Sequence, residues 1–348
     1  MVDTAFEGRL VQELVAKSSG EIPTQFVQKE ENRPIGSAQP ASGVPIIDLR
    51  RLSEPGAGEE LLRLKLALQT WGMFQVVSNE MPTAFLDEVR SVARKFFYLS
   101  KEEKRKYKNL TDDEEFKLEG YGNDIVATKD QIRDWNDRLY LLVEPESGRN
   151  LELWPNNPSS FRSLLHEFSM KTKRIANSVL MAIARLLELD ENYFTDQMGD
   201  GTTFARFNYY PGCSKSDAVI GIKAHSDGSV LTLVLLDKDV DGLQVLKDGE
   251  WFSVLTVPHA LLVNLGDQME IMCNGKLKSP VPQVVASSQD RISLVMFYSF
   301  NYEKYLEPAE KLVDGEPKLY RKVLLKDYID NLFQYLAQGK RSIDFAKI

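Results

Sequence analysis

Hydrophobic and polar positions divide the first part of the chain into short strands and amphipathic helices. Two compact apolar runs, "VPIIDL" at 44–49 and "WGMFQVVS" at 71–78, predict buried strands, because they are short and rich in β-branched or aromatic residues. Apolar residues that recur every three to four positions predict helices over about 7–17, 59–70 and 83–98. The pattern therefore predicts a mixed α/β region.

A longer helical pattern closes this region, which we place at residues 1–200. Apolar positions between 159 and 187 again recur every three to four residues, and they include Phe161, Leu164, Leu165, Phe168, Ile175, Val179 and Ile183. A recurrence that persists over about seven turns predicts a long helix with one side in the core.

From residue 201 the pattern changes to short strand-like runs separated by turns rich in Gly, Asp and Ser. Such runs at a spacing of roughly ten residues predict an antiparallel barrel or jelly roll over residues 201–300. The "KDG" at 247–249 predicts a tight turn between two of the strands. We expect a helical segment at 301–348, with a helix over about 325–336, and one globular unit for the whole chain. The strand-like runs are "FARFNYY", "SVLTLVLL", "LQVLKDGEWFSV", "ALLVNLGDQMEIM", "PVPQVV" and "RISLVMFYS".

Composition and charge favour an ordinary globular protein. The chain has 348 residues, of which 43% are hydrophobic, a net charge of -8 and only two cysteines, neither of them in a C-x-x-C motif. Lys and Arg are interspersed with Asp and Glu, which argues against nucleic acid as a partner, and no apolar run is long enough to span a bilayer. We expect a cytoplasmic monomer or weak dimer with a small-molecule substrate and no nucleic-acid or membrane partner.

Two pairs of polar residues in the strand-rich region are candidates for chemistry. His225 and Asp227 stand two apart at the mouth of a strand, so period-two alternation points both to one face, where they could hold a divalent cation. By itself H-x-D is a weak signal, because most such pairs are surface or capping residues. Arg291 and Ser293 alternate in the same way and suit a small dicarboxylate, whereas the alternative is a surface pair on an edge strand.

A larger set of motifs resembles a known family over essentially the whole chain. The order of these motifs is similar to that of the plant 2-oxoglutarate and Fe(II)-dependent dioxygenases, in the branch that hydroxylates, desaturates or demethylates alkaloids and flavonoids. The resemblance implies a double-stranded β-helix whose barrel mouth holds Fe(II) through two histidines and one carboxylate. The motifs are "VPIIDL", "WGMFQVV", "EGYG", "DWNDRLYL", "LWPNNPSSFR", "ARFNYYPGC", "KAHSDGSVLTL", "GLQVLKDGEWFSV", "VPHALLVNLGDQMEIMCNGKLKSPV" and "RISLVMFYS".

The resemblance also implies roles for individual residues. His225 and Asp227 match the first two iron ligands. Arg291 and Ser293 match the R-x-S pair, in which the guanidinium group binds the distal carboxylate of 2-oxoglutarate through two hydrogen bonds. The N-x-Y element that lines the same pocket is matched by Asn208 and Tyr210.

The third ligand position departs from the family. Where the family has "SPVHR" this chain has "SPVPQ", so Pro282 stands in place of the second histidine and offers no donor atom on its side chain. Proline also removes a backbone N–H, which could deform the strand. We expect Gln283 to face the opposite side, and neither His166, on the long helix, nor His259 is expected to replace the missing ligand.

Aromatic residues around the barrel mouth predict a pocket for a planar, alkaloid-like or phenolic-like molecule. They are Tyr121, Tyr210, Phe297 and Phe300, although such residues line cores just as often.

Three hypotheses about function follow. The favoured one is a non-oxidative catalyst of a cyclisation, isomerisation or condensation that requires no cofactor and uses His225, Asp227 and Tyr210 as acid, base or donor groups. An alternative is an oxygenase that uses 2-oxoglutarate and Fe(II) with only two protein ligands for the iron. A further alternative is a binding protein or an inactive paralogue.

Overall fold

The protein is described from a computed structural model that covers residues 10–17, 21–30, 33, 39–40, 44–54, 56–78, 80–110, 116–126, 131–337 and 341–348. The helices are α1 (Val11–Lys17), α2 (Leu49–Leu52), α3 (Gly58–Thr70), α4 (Thr83–Phe97), α5 (Lys101–Arg105), α6 (Phe161–Leu186), α7 (Tyr193–Met198), α8 (Asp267–Met272), α9 (Glu310–Val313) and α10 (Leu325–Ala337). The strands are β1 (Gln39–Pro40), β2 (Ile46–Asp48), β3 (Met73–Val77), β4 (Gly120–Gly122), β5 (Asp137–Glu144), β6 (Thr202–Tyr210), β7 (Ile220–Ile222), β8 (Leu231–Leu236), β9 (Leu243–Lys247), β10 (Glu250–Ser253), β11 (Leu261–Leu265), β12 (Val281–Val285), β13 (Arg291–Ser299), β14 (Tyr305–Leu306) and β15 (Val323–Leu324).

Two sheets form the centre of the fold. The larger sheet has the order β2-β3-β11-β8-β13-β6-β5-β4, and the smaller one has the order β1-β10-β9-β12-β7. Side chains from both sheets line one cavity, as expected for a jelly roll that buries its inner faces. The prediction of a mixed α/β fold with a jelly-roll core flanked by helices is confirmed.

Strand β13 shows how the sequence pattern sorts side chains between two environments. Ile292, Leu294 and Met296 are buried in the core cluster that also contains residues of α4 and α6. Arg291 and Ser293, at the alternate positions, line the cavity instead. The long helix predicted at 159–187 is α6, and it covers the outer face of the larger sheet. The strand that carries the candidate dicarboxylate pair therefore has one face packed in the core and the other facing the cavity.

The structure differs from the predicted elements in several places. The second half of "ALLVNLGDQMEIM" is the helix α8 and not a strand, and its six residues are too short a run to show a helical period. The first helix begins at Val11, and residues 7–9 of its predicted span lie outside the described residues. The division of the chain at residue 200 stays a prediction, and β2 to β5 cross it to join the larger sheet.

A membrane-spanning helix has to be both long and apolar. None of the helices in the described part of the chain combines the length and the apolar composition that crossing a bilayer requires.

Candidate active site

A cavity of about 220 Å³ lies between the two sheets. Its floor and walls come from β6, β8 and β13 of the larger sheet and from β7, β9 and β12 of the smaller one, while Ile329 and Leu332 of α10 border it. Most of the wall is apolar, including Val234, Leu236, Leu243, Leu262, Val284 and Val295. A cavity with a largely apolar surface and polar side chains among its lining residues is typical of a small-molecule site.

The His225–Asp227 pair lies at the cavity wall in the loop between β7 and β8. His225 Nε2 is 3.6 Å from Asp227 Oδ1. His225 Nδ1 lies 2.7 Å from the carbonyl oxygen of Lys223, and because a carbonyl only accepts, Nδ1 carries the proton. The lone pair of Nε2 is thus available next to the carboxylate, which is the arrangement that two ligands of one cation require.

Asp267, at the start of α8, stabilises the loop that carries this pair through a hydrogen bond with Ser226. The Asp267 carboxylate accepts hydrogen bonds from the Ser226 hydroxyl at 2.9 Å and the Tyr328 hydroxyl at 2.6 Å. Burial is the larger influence and raises the pKa of Asp267 to about 6, although these two hydrogen bonds lower it. Since Tyr328 belongs to α10, this contact also anchors the helix that borders the cavity.

Gly228 allows that helix to approach. A Cβ atom at Gly228 would lie 2.6 Å from Leu332 Cδ2, which is closer than real contacts allow. The glycine therefore leaves room for the Leu332 side chain of α10 against the loop of the His225–Asp227 pair.

Pro282 occupies the cavity wall beside His225. The carbonyl oxygen of Pro282 accepts a hydrogen bond from the His225 backbone N–H at 3.1 Å. Strand β12 keeps its register against β9, with Pro282 opposite Val245, whereas its register against β7 shifts between Val284 and Val285. Gln283 is buried on the other face, where its amide donates to Gln244 Oε1 at 2.8 Å.

The donor set therefore fits a cation only in part. Among the residues that the structure describes, no three His, Cys, Asp or Glu side chains come together to hold a metal ion. His225 and Asp227 converge, and the position beside them is filled by the Pro282 ring. A cation at this place would have two side-chain ligands from the protein instead of three.

Arg291 supplies an uncommitted positive charge at the far side of the cavity. Its side chain is buried, and the guanidinium carbon lies 5.0 Å from the centre of the Tyr210 ring. Nε donates to the Val240 carbonyl at 3.3 Å, whereas Nη1 is buried without a hydrogen-bond partner. A buried cationic donor without a partner is costly unless a ligand satisfies it, so this group fits the distal carboxylate of 2-oxoglutarate.

Asn208 and Ser293 lie next to this group as cross-strand neighbours. The register of β6 and β13 places Ser293 opposite Asn208 and Arg291 opposite Tyr210. The Asn208 amide nitrogen donates to Ser293 Oγ at 3.1 Å. The structure thus brings together the four residues that the sequence motifs select for 2-oxoglutarate.

An ion-pair cluster that the sequence reasoning missed forms another wall. Arg206 Nη1 and Nη2 donate to the two carboxylate oxygens of Asp124 at 3.1 and 2.7 Å, and Arg138 Nε donates to the same carboxylate at 3.2 Å. Burial alone would raise the pKa of Asp124, but the two guanidinium groups hold it well below its usual range. Arg206 could have been found, because it precedes Asn208 by two positions and so shares its strand face.

Asp124→Asn is expected to destabilise the protein, because two guanidinium groups would share one buried site without a counter-charge. Breaking a buried pair costs about 3–5 kcal/mol, and the partial exposure of Asp124 lowers our expectation to about 2 kcal/mol at pH 7. A carboxyl group with a depressed pKa contributes stability above its unfolded pKa of about 3.9, and this contribution is lost as the pH falls further.

Urea denaturation at pH 7 and pH 3.5 measures this effect. The difference in unfolding free energy between wild type and Asp124→Asn should shrink at pH 3.5, and a constant difference would contradict the electrostatic explanation. Asp134→Asn serves as the control, since Asp134 neutralises a single cation, Lys223, at 2.6 Å, and we expect a smaller effect.

Two of the four predicted pocket aromatics lie elsewhere. The prediction that Tyr121 and Phe300 line the pocket is wrong, because both are buried in the main core cluster. The Tyr121 ring packs 5.7 Å from Phe96, and its hydroxyl donates to Gln12 Oε1 at 3.3 Å. Phe297 does line the cavity, as Tyr210 does.

Comparisons with known proteins agree with this geometry. A family model described as the 2OG-Fe(II) oxygenase superfamily matches residues 202–300, and one described as non-haem dioxygenase in morphine synthesis N-terminal matches residues 44–157. Protein lateral branching oxidoreductase 1 of Arabidopsis thaliana is 36% identical over 97% of this chain and 95% of its own length. Codeine O-demethylase of Papaver somniferum is 33% identical over 97% and 95% of the two chains.

A solved structure extends the likeness to three dimensions. The crystal structure of JOX2 in complex with 2OG, Fe and JA has a TM-score of 0.89 to this chain at 29% identity, and 97% of each chain is covered. A jelly roll with a His–Asp pair and a buried arginine in one cavity is consistent with a non-haem oxygenase scaffold, although one histidine of the usual two is missing here. The chain belongs to the 2-oxoglutarate- and Fe(II)-dependent oxygenase superfamily, and its plant relatives include alkaloid and flavonoid demethylases.

The prediction that this protein requires no cofactor is wrong. The family model that matches the barrel is that of Fe(II)- and 2-oxoglutarate-dependent oxygenases, and the JOX2 structure contains both 2OG and Fe. The curated relatives are oxidative enzymes, such as the codeine O-demethylase. Pro282, which has no donor atom on its side chain, therefore stands in the barrel of a protein whose family depends on these cofactors.

Proposed function

We propose that this protein is a 2-oxoglutarate-dependent oxygenase with an atypical iron site that has two protein ligands. The observation that carries this proposal is the position of the His225–Asp227 pair and of the Arg291 guanidinium, whose Nη1 has no partner among the described residues, in the wall of one cavity. The two features match the two ends of the cofactor system, a divalent cation and a dicarboxylate.

The residues have distinct tasks in this proposal. His225 Nε2 and the Asp227 carboxylate would hold the cation, and the backbone contact of Nδ1 keeps the imidazole in the tautomer that can ligate. Arg291 would bind the distal carboxylate of 2-oxoglutarate, and the Tyr210 ring beside it limits the directions that the guanidinium can take. Iron held there would supply the chemistry that couples O2 and 2-oxoglutarate to oxidation of the second substrate.

The walls favour a neutral, largely apolar second substrate. Among the described residues, the Lys and Arg side chains that line the cavity besides Arg291 are Arg206 and Lys223, and each already has a carboxylate partner, Asp124 and Asp134. A charged substrate would therefore have to displace an existing ion pair. Phe297 is stacked on Tyr140 with ring centres 6.1 Å apart, which presents an aromatic surface to a planar molecule.

The reaction class follows from this environment and from the relatives. Codeine O-demethylase and a flavonoid 7-O-demethylase of Ocimum basilicum are both similar to this chain over 97% of its length. We propose hydroxylation, demethylation or desaturation of an alkaloid-like or phenolic-like metabolite.

Succinate release from 2-oxoglutarate tests the proposal. The purified protein with excess Fe(II) and O2 should form succinate slowly, because a two-ligand site binds iron weakly, and EDTA should stop the reaction. His225→Ala and Asp227→Ala should also abolish it, whereas His166→Ala on the exposed side of α6 serves as the control. Absence of succinate at any iron concentration would contradict the proposal and favour a binding protein, and turnover that survives EDTA would contradict the role of iron.

A further inference from the structure

We propose that Arg206 is a positioning residue for 2-oxoglutarate, which acts through Asn208 on the hydroxyl group of Ser293. This inference rests on the proposed function, because it concerns the same dicarboxylate site. Arg206 is not a direct ligand in this view, since Arg291 supplies the charge that binds the carboxylate.

The strand geometry places the three residues in one row. Arg206 and Asn208 alternate on β6 and therefore share the face that lines the cavity, and Ser293 lies opposite Asn208 on β13. Arg206 Nε is 2.7 Å from Asn208 Oδ1, and Asn208 Nδ2 is 3.1 Å from Ser293 Oγ. A continuous hydrogen-bonded connection thus leads from the ion-pair cluster to the Arg291 site.

The chemistry of the groups determines the direction of each hydrogen bond. A guanidinium group only donates, so the Asn208 atom that faces Arg206 has to be the amide oxygen. The amide nitrogen then faces Ser293 and donates to its Oγ. Because Oγ accepts this hydrogen bond, the hydroxyl hydrogen of Ser293 is free to be donated into the cavity, next to the unpartnered Arg291 Nη1.

Asp124 keeps Arg206 in the orientation that this connection needs. The two hydrogen bonds at 3.1 and 2.7 Å hold the plane of the guanidinium group and leave Nε directed at Asn208. Without Arg206, the Asn208 amide could rotate and present its oxygen to Ser293. The Ser293 hydroxyl would then donate to Asn208 and turn its lone pairs toward the incoming carboxylate.

A double-mutant cycle tests this inference by calorimetric titration of 2-oxoglutarate in the presence of excess Mn(II). Arg206→Met should weaken 2-oxoglutarate binding about 10-fold, the lower end of the range for residues that support a direct ligand. Ser293→Ala should weaken it by a similar factor, and the double variant should bind no more weakly than Ser293→Ala alone. A purely electrostatic effect of Arg206 would persist in the Ser293→Ala background, and the two losses would then multiply.

Two controls separate positioning from a general loss of structure. Lys173→Met removes a paired cation that lies outside the cavity wall, bound to Glu144 at 2.6 Å, and should leave 2-oxoglutarate affinity unchanged. Binding of the neutral probe N-phenyl-1-naphthylamine to the cavity should stay within about twofold in Arg206→Met, because the apolar walls remain. Asp124 keeps Arg138 as a partner at 3.2 Å in this variant, which favours an intact fold.

The outcomes distinguish this inference from the function on which it rests. Wild-type protein that fails to bind 2-oxoglutarate would contradict the proposed function itself. If wild type binds it, then wild-type affinity in Arg206→Met, or losses that multiply in the double variant, would overturn the positioning role. Should Arg206→Met prove insoluble, the same cycle is run with Asn208→Leu, which interrupts the connection without changing the charge, and affinity like that of wild type again overturns the inference.

Discussion

Arg291→Ala is expected to weaken 2-oxoglutarate binding at least about 30-fold. Removing one partner of a buried, hydrogen-bonded charge pair costs about 2–5 kcal/mol, and about 1.4 kcal/mol corresponds to each factor of ten. Arg291 is 2% exposed, and its Nη1 has no partner among the residues that the structure describes, so a bound dicarboxylate gains this full interaction. Alanine retains neither the charge nor the two parallel donors.

The matched variant Arg291→Lys separates charge from geometry. Lysine keeps the positive charge but lacks the planar fork, so its affinity for 2-oxoglutarate should lie between those of wild type and Arg291→Ala. Isothermal titration of 2-oxoglutarate with excess Mn(II) measures all three. Thermal unfolding without 2-oxoglutarate should show no loss of stability in Arg291→Ala, because a buried charge without a counter-ion is removed. Equal affinity of wild type and Arg291→Ala would contradict the assignment of this site.

Pro282→His is expected to raise the affinity for Fe(II) or Mn(II) by at least about 100-fold. Changes in residues that only support metal ligands already alter affinity by about 10- to 100-fold, so the addition of a direct ligand should have an effect at or above that range. The structure favours this result, because Pro282 lines the cavity next to His225 and β12 keeps a regular register there. An imidazole at this position would project toward the His225–Asp227 pair.

Pro282→Ala is the control for this experiment, since it restores the backbone N–H without adding a donor atom to the side chain. It should bind metal as weakly as wild type. Iron content per chain after purification without added metal gives a second measurement, and we expect far less than one iron in wild type and close to one in Pro282→His. Stoichiometric, tightly held iron in wild type would show that the protein completes the site in another way.

The period-two alternation of side chains along the strands is sufficient to predict which residues of the candidate site share a strand face. Asn208 and Tyr210 on β6, and Arg291 and Ser293 on β13, alternate and therefore share a face within each strand. The same rule contradicts the prediction that Phe300 lines the pocket. Phe300 lies an odd number of positions from Phe297, so its side chain points to the core side. Alternation is a local property of the extended backbone, and local properties can be derived from sequence alone.

Contacts between distant segments had no such local signal. Asp124 meets Arg206 across 82 positions of the chain, and neither residue stands in a pattern that points to the other. Tyr121 lies in the core, where its ring packs against Phe96 and its hydroxyl donates to Gln12 of the N-terminal helix. The local sequence, an aromatic residue between two glycines, does not indicate these contacts. The helix α8 was missed because its six residues make less than about two turns, which is too short a run to show a helical period.

The sequence by itself determined the jelly-roll architecture, the residues that face inward on its strands, and the fact that position 282 offers no side-chain donor, since strand periodicity and side-chain chemistry do not depend on distant contacts. Only the tertiary structure decided which charges remain uncommitted. Lys223 and Arg206 are neutralised by Asp134 and Asp124, whereas Arg291 keeps a free donor in the same cavity. Whether a buried charge is available to a ligand depends on the partners that folding brings within about 4 Å, and chain segments far apart in sequence supply those partners.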